Sequence, residues 1–348
     1  MQRSNVDYNQ FIYQDTKGEV RVKSPLKKLL MLTQPELKET REDMLLQDFV
    51  KVTQSKWLRD PKLSSRWDQT ESDLNQDLAA TIKTYLHELG LLQNRTLSKE
   101  KYDVGIITGC ASPNMAKCFF NLQDLASKNP AIISKLIVSG TTNDISQYLP
   151  NLEAVYSAFP ARFKKEVTFP EKLTELSGLK FFLDNMLWPE GFDPKNVVYI
   201  PNESKELSKP RLDDAFLAIN KYLQEHHKES KLSIAVLSQP IFHYRQGLIF
   251  LPLAEQHFVE IVSAKHDTYP ILNKLSGSTL NASSGLDELA RLAFKLNEFI
   301  QHKENLQRLN LIVAKTELPS VVKSGYGMYQ PQKPSSDVGT EPTVAFRL

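Results

Sequence analysis

Three short segments hold the residues best suited to meet a ligand: TGC (Thr108 to Cys110), SGT (Ser139 to Thr141) and QPIFHYR (Gln239 to Arg245). Each lies just beyond an apolar run. A glycine flanked by small polar residues lets a ligand approach the backbone closely and meets it with hydroxyls and N–H groups. Around Gly109 these groups are Thr108, Ser112 and Asn114; around Gly140 they are Ser139 and Thr141, with Asp144 as an acceptor for a ribose or an amine. The structural alternative is that the small residues only build tight turns and helix N-caps. Arg245 follows SIAVLS where a helix is expected to begin, and a guanidinium there can fork onto a phosphate or carboxylate. Its plain alternative is a solvated charge in a first helical turn.

His243 has the ionisation range of a general acid or base, although a lone histidine is more often a packed or surface group. Cys110 stands at an expected helix start, a position that lowers a thiol pKa and favours a nucleophile. Such a thiol needs a base, with His243 the candidate; packing as a small hydrophobe is the competing role. Cys118, in KCFF, is expected in the core. His226 and His227 adjoin Lys228 and Glu229 near a helix end, where a charge facing the helix dipole explains them better than a metal does. Neither HExxH nor a CxxC pair occurs, so no metal is expected, and the chain lacks GxGxxG, a phosphate-loop lysine and a GxSxG elbow.

The elements that must position these groups form a pattern. VGIITG (Val104 to Gly109), SKLIVSG (Ser134 to Gly140), NVVYIP (Asn196 to Pro201) and SIAVLS (Ser233 to Ser238) are continuous apolar runs. They alternate with helix-like stretches such as PNMAKCFFNLQDLASKN and RLDDAFLAINKYLQEHHKE, and FHYRQGLIFLPLAEQH follows the last of them. This predicts a Rossmann-like three-layer α/β/α fold with a mostly parallel sheet, whose ligands collect at the carboxyl ends of the strands. VEIVSAK (Val259 to Lys265) is a further strand candidate, and GLDELARLAFKLNEFIQHK from Gly285 to Lys303 a late amphipathic helix.

Residues 1–100 read as a helical N-terminal extension. Leu74, Leu78, Ile82, Leu86 and Leu89 make one helical stripe before a stop at Gly90, and two earlier helices are expected with Pro25 and Pro35 in their first turns. The α/β domain then spans 101–315, and 316–348, rich in Pro, Gly, Ser and Gln, reads as a flexible tail. With 43 Lys and Arg against 41 Asp and Glu, the 348-residue chain has no overall field to gather nucleic acid. Two cysteines are too few for a disulfide framework. No run reaches the roughly 18 apolar residues of a membrane span, and MQRSNVDYNQ has no secretory h-region, so a cytoplasmic location is the expectation.

The order of these motifs resembles the YdcF-like family, a domain-of-unknown-function group that also holds SanA and ElyC. The resemblance covers roughly Tyr102 to Ile300. VGIITG stands where the family has a strand ending in a glycine-rich loop, and KLIVSGT is similar to its strand ending in SGG. GFDPKNVVYIPNESKELSKPRLDDAFLAINKYL resembles a segment running through a strand and polar loop into a long helix. AVLSQPIFHYRQGLIF matches a strand followed by a proline and the family arginine, here Arg245, and GLDELARL supplies Gly285, Glu288 and Arg291. The resemblance implies a ligand crevice, and members have been associated with S-adenosylmethionine or with envelope and lipid-carrier processes. This chain departs from the pattern at TGC, at Thr141 and in SKELSKPR, where Ser204 alone carries over.

Three functions follow as expectations. The first is a binding protein or transferase for an adenosine-containing ligand, held by Thr108, Gly109, Cys110, Ser139, Gly140 and Thr141, with Ser204 and Arg245 closing the crevice, Arg245 at the ligand's anionic end, and Glu288 and Arg291 nearby if the last helix packs as in the family. The second is a hydrolase or phosphatase using His243 or Cys110. The third is an interaction protein whose N-terminal helices contact a protein partner.

Overall fold

The computed structural model describes residues 6–37, 43–58, 75–109, 112–193, 195–202, 212–228, 230–264, 268–275, 282–301 and Leu309. Cys110, Ser204, Leu74 and the C-terminal segment from 316 lie outside them. A hairpin of β1 (Ile12–Gln14) and β2 (Val20–Val22) comes first, so the opening hundred residues are not purely helical. Turn chemistry makes it: Asp15 accepts the N–H groups of Lys17 and Glu19 and pairs with Arg21 at 2.6 Å, while Gly18 takes φ 84°. Strands of three residues carry too little periodicity to announce themselves.

Three helices follow. Helix α1 (Ser24–Thr33) has Pro25 in its first turn, as expected. Pro35 opens only a single tight turn, Pro35–Leu37, and α2 (Leu46–Lys56) begins further on. Helix α3 (Gln76–Glu88) is capped by the Asn75 side chain, which accepts the Asp77 N–H, and ends at Gly90 with φ 73°. Its stripe buries Ile82 and Leu86.

From Tyr102 the chain builds a parallel sheet from β3 (Tyr102–Thr108), β4 (Ile133–Gly140), β5 (Val197–Pro201), β6 (Ser233–Leu237) and β7 (Phe258–Val262), in the order β5-β4-β3-β6-β7. The intervening helices are α4 (Ser112–Lys128), α5 (Leu149–Ala158), α6 (Glu175–Asn185), α7 (Leu212–His226) and α8 (His243–Phe250), followed by α9 (Pro270–Leu275) and α10 (Ala282–Ile300). Side chains alternate across each strand. Ile106, Ile137, Val236 and Ile261 pack in one cluster with α7, α8, α10 and the N-terminal helices; Ile107, Val138, Leu237 and Val262 pack in the other with α4, α5 and α6. The sheet is therefore covered on both faces. Its order reverses between β3 and β6, so the loops after those two strands diverge to opposite layers.

The N-terminal segment is not an appendage. Tyr8, Phe11, Phe49, Ile82 and Leu86 share one core with Ile106 and Ile261. The Tyr8 hydroxyl donates to the Tyr244 carbonyl at 2.9 Å, and Gln54 Nε2 donates to the Ala290 carbonyl at 2.9 Å. Arg95 exchanges two backbone hydrogen bonds with Ser263 beyond the end of β7, partly closing that sheet edge. The described residues belong to one unit, Met1–Ala314.

Candidate functional site

The strand pairing puts four hydroxyl side chains abreast at the carboxyl end of the sheet. Thr108 pairs with Ser139, Ile107 with Leu237, and Leu237 with Val262, so Thr108, Ser139, Ser238 and Ser263 occupy one row. Each lies two residues beyond an aliphatic side chain of the α8-facing core, and so faces α8 itself. All four are buried. Gln246, on α8, donates from Nε2 to Thr108 Oγ1 at 3.3 Å, and Ser238 Oγ donates to the Gln239 carbonyl at 3.1 Å. On the opposite layer, Gln239 Nε2 donates to the Asn114 carbonyl at 3.3 Å, bridging the switch point to the first turn of α4.

Several polar atoms here lack hydrogen-bond partners among the described residues: Ser139 Oγ, Ser263 Oγ, Gln246 Oε1 and Asn114 Nδ2. Buried polar atoms are almost always bonded, so such a concentration marks groups that water or a ligand must satisfy. His243 has no exposed surface, and its ring packs on Tyr244 with centroids 4.3 Å apart. Burial and then the Arg95 charge push its pKa well below the ordinary imidazole range, against a smaller pull from the Pro240 backbone. Its normal state is the neutral ring.

The two loop glycines have a use other than the expected one. A Cβ on Gly109 would stand 2.7 Å from Glu175 Oε2 and 2.9 Å from Glu175 Cβ; on Gly140 it would stand 2.9 Å from the Leu176 nitrogen. These glycines admit the first turn of α6, which a reciprocal capping box between Thr174 and Ser177 starts at this point. Glu175 Oε2 accepts the Thr141 N–H at 3.1 Å, and the Leu176 N–H donates to the Thr141 carbonyl at 3.1 Å. Burial raises the Glu175 pKa, partly offset by the Thr141 backbone and hydroxyl. A carboxylate thus sits where the sequence suggested room for a ligand.

Thr108, Gly109, Ser139, Gly140 and Thr141 do converge, at adjoining ends of β3 and β4. Arg245, Glu288 and Arg291 form a different set. Arg245 forks onto Glu288, with Nε–Oε1 2.6 Å and Nη2–Oε2 3.1 Å, and Arg291 forks onto Asp287 at 2.8 and 3.1 Å. The arginine expected to meet a ligand's anionic end therefore meets a protein carboxylate, which holds its pKa above the ordinary guanidinium value despite burial. Asp144 is occupied in a local turn, accepting the Ser146 N–H and hydroxyl. His226 stacks on Tyr222. Cys118 is buried, its pKa pushed up to about 12 by desolvation.

Sequence reasoning missed Glu175, Gln246 and the completed hydroxyl row. The row had a readable signal: four aliphatic strands each end in one Ser or Thr. Among the described residues, no cluster of three His, Cys, Asp or Glu side chains could hold a metal ion, and no helix is long and apolar enough to cross a membrane. No family model, curated protein or solved structure matches the chain.

Proposed function

We propose that this chain is a divergent YdcF-like protein that binds a nucleoside-type small molecule at the carboxyl ends of its parallel strands, with S-adenosylmethionine or another adenosine-containing ligand as the leading candidate and group transfer as the activity. The observation that carries this reading is the concentration of unpartnered buried polar atoms at the switch point, above all Ser139 Oγ and Gln246 Oε1 beside Thr108. Neutral donors and acceptors of this kind suit the hydroxyls and ring nitrogens of a nucleoside. The family part of the proposal draws support from Arg245 and Glu288: two positions far apart in sequence that carry the resemblance bond to each other in the fold. The phosphatase alternative draws less, since Arg245 is held by Glu288 and His243 is fully buried.

The test is thermal denaturation of the full chain with S-adenosylmethionine, adenosine, ATP and a sugar phosphate. A ligand at 100 times its Kd stabilises the native state by about 2.7 kcal/mol. Ser139→Ala separates binding from folding, because Ser139 Oγ has no described protein partner to lose: binding falls while the unliganded melting temperature holds. Absence of stabilisation by all four ligands overturns the proposal.

A further inference from the structure

We infer that Glu175 sets which groups of a ligand can lie at the ends of β3 and β4, selecting groups that donate hydrogen bonds or carry positive charge there and rejecting phosphate. The inference rests on the strand ends being the ligand site. Glycine-containing loops at the ends of parallel strands ordinarily offer N–H groups to an anion. In this chain that position is already filled. Glu175 Oε2 accepts the Thr141 N–H at 3.1 Å, and the absence of Cβ atoms at Gly109 and Gly140 is what lets α6 bring the carboxylate so close.

The placement is built rather than incidental. The Thr174–Ser177 capping box fixes where α6 begins, the Leu176 N–H locks it to the Thr141 carbonyl, and Gly178 fits against Met115 on the neighbouring α4. A carboxylate accepts more hydrogen bonds than the Thr141 N–H and hydroxyl supply, and Glu175 keeps partial exposure at the carboxyl end of the sheet. In the first turn of α4, just past Gly109, the Asn114 amide accepts the Lys117 ammonium at Oδ1 at 3.1 Å, and its buried Nδ2 has no partner among the described residues. An acceptor at Glu175 suits a ribose hydroxyl or an ammonium. A phosphate would meet a carboxylate that repels it and would have to displace it from the Thr141 N–H.

The experiment compares adenosine with adenosine 5′-monophosphate by calorimetric titration of the full chain at neutral pH, for wild type, Glu175→Gln and Glu175→Ala. In wild type adenosine binds at least tenfold tighter than the monophosphate. Both variants narrow or reverse that ratio, the monophosphate gaining most in Glu175→Ala, where the site is emptied; melting temperatures identify either variant that misfolds. Equal wild-type affinity for the two ligands, or a ratio that both folded variants leave unchanged, overturns the role of Glu175 while leaving the site intact. Failure of both ligands to bind wild type overturns the site and this inference together.

Discussion

Replacing Arg245 by methionine separates a structural guanidinium from a ligand anchor. The Arg245 side chain is 17% exposed and that of Glu288 1%, and they meet through two hydrogen bonds of 2.6 and 3.1 Å. At an effective dielectric near 20, opposite charges this close attract by on the order of 4 to 5 kcal/mol. Most of that offsets the cost of burying both ions, so the pair adds little net stability. Removing one partner is different, because the buried Glu288 carboxylate then loses the forked guanidinium that offsets its desolvation. Arg245→Met, which keeps the apolar stem, is expected to cost about 3–5 kcal/mol. At about 2 °C per kcal/mol for a large domain, the melting temperature falls by roughly 6–10 °C. The double variant Arg245→Met, Glu288→Met recovers about 2–3 kcal/mol of that loss, measured as a coupling energy in a urea-denaturation cycle. A single variant within about 1 kcal/mol of wild type that loses ligand binding would refute the argument, and return Arg245 to the anion-anchoring role its sequence position suggested.

His243 gives a pH test. Its folded-state pKa is depressed by burial and the Arg95 charge, so below about pH 6.5 the unfolded chain takes up a proton that the folded chain does not. Stability is full above that pH and is lost as pH falls, by up to about 1.4 kcal/mol per unit; His243→Gln should flatten this slope in urea titrations from pH 7.5 to 5.5, and identical slopes would count against it. Gly285 lies against Leu86, and a methyl there would collide with Leu86 Cδ1. Gly285→Ala should therefore cost about 1–3 kcal/mol by chemical denaturation, with partial recovery in combination with Leu86→Ala. Deleting the residues before Tyr102 removes Phe11, Phe49, Ile82 and Leu86 from the core, so the remainder should lose its cooperative thermal transition; a sharp transition would show the sheet to be self-sufficient.

The parallel sheet was legible because the runs from Val104, Ser134, Asn196 and Ser233 are apolar on both faces, a local pattern that only a doubly covered strand needs. The same reading placed Thr108, Gly109, Ser139, Gly140 and Thr141 together correctly, since ends of adjacent parallel strands must adjoin. What the glycines and Arg245 touch was not legible. Glu175 reaches Gly109 from a helix of a later crossover, and Glu288 reaches Arg245 from the end of the domain. A residue's type announces what it can bond, while the fold decides which partner arrives first. Where residues 1–100 pack was not legible for a related reason. Their amphipathic stripe calls for an apolar surface to lie on, which can belong to a partner or to the chain itself; here Ile82 and Leu86 lie on the chain's own core.

That shared core also dictates an order of events during synthesis. The Tyr8 hydroxyl must wait for Tyr244, and Gln54 for Ala290, each 236 residues further along. At about 5–20 residues per second, the ribosome leaves the first helices without their final neighbours for roughly 12–47 s. Through that interval Phe11, Phe49, Ile82 and Leu86 have only their N-terminal neighbours for cover and lack the part of the core that the sheet, α8 and α10 supply. Closing so long a loop before any contact rewards it makes for slow folding. Newly made chains should lean on chaperones at their leading end, and refolding from denaturant should be slower and more concentration-sensitive than the many local helices alone suggest.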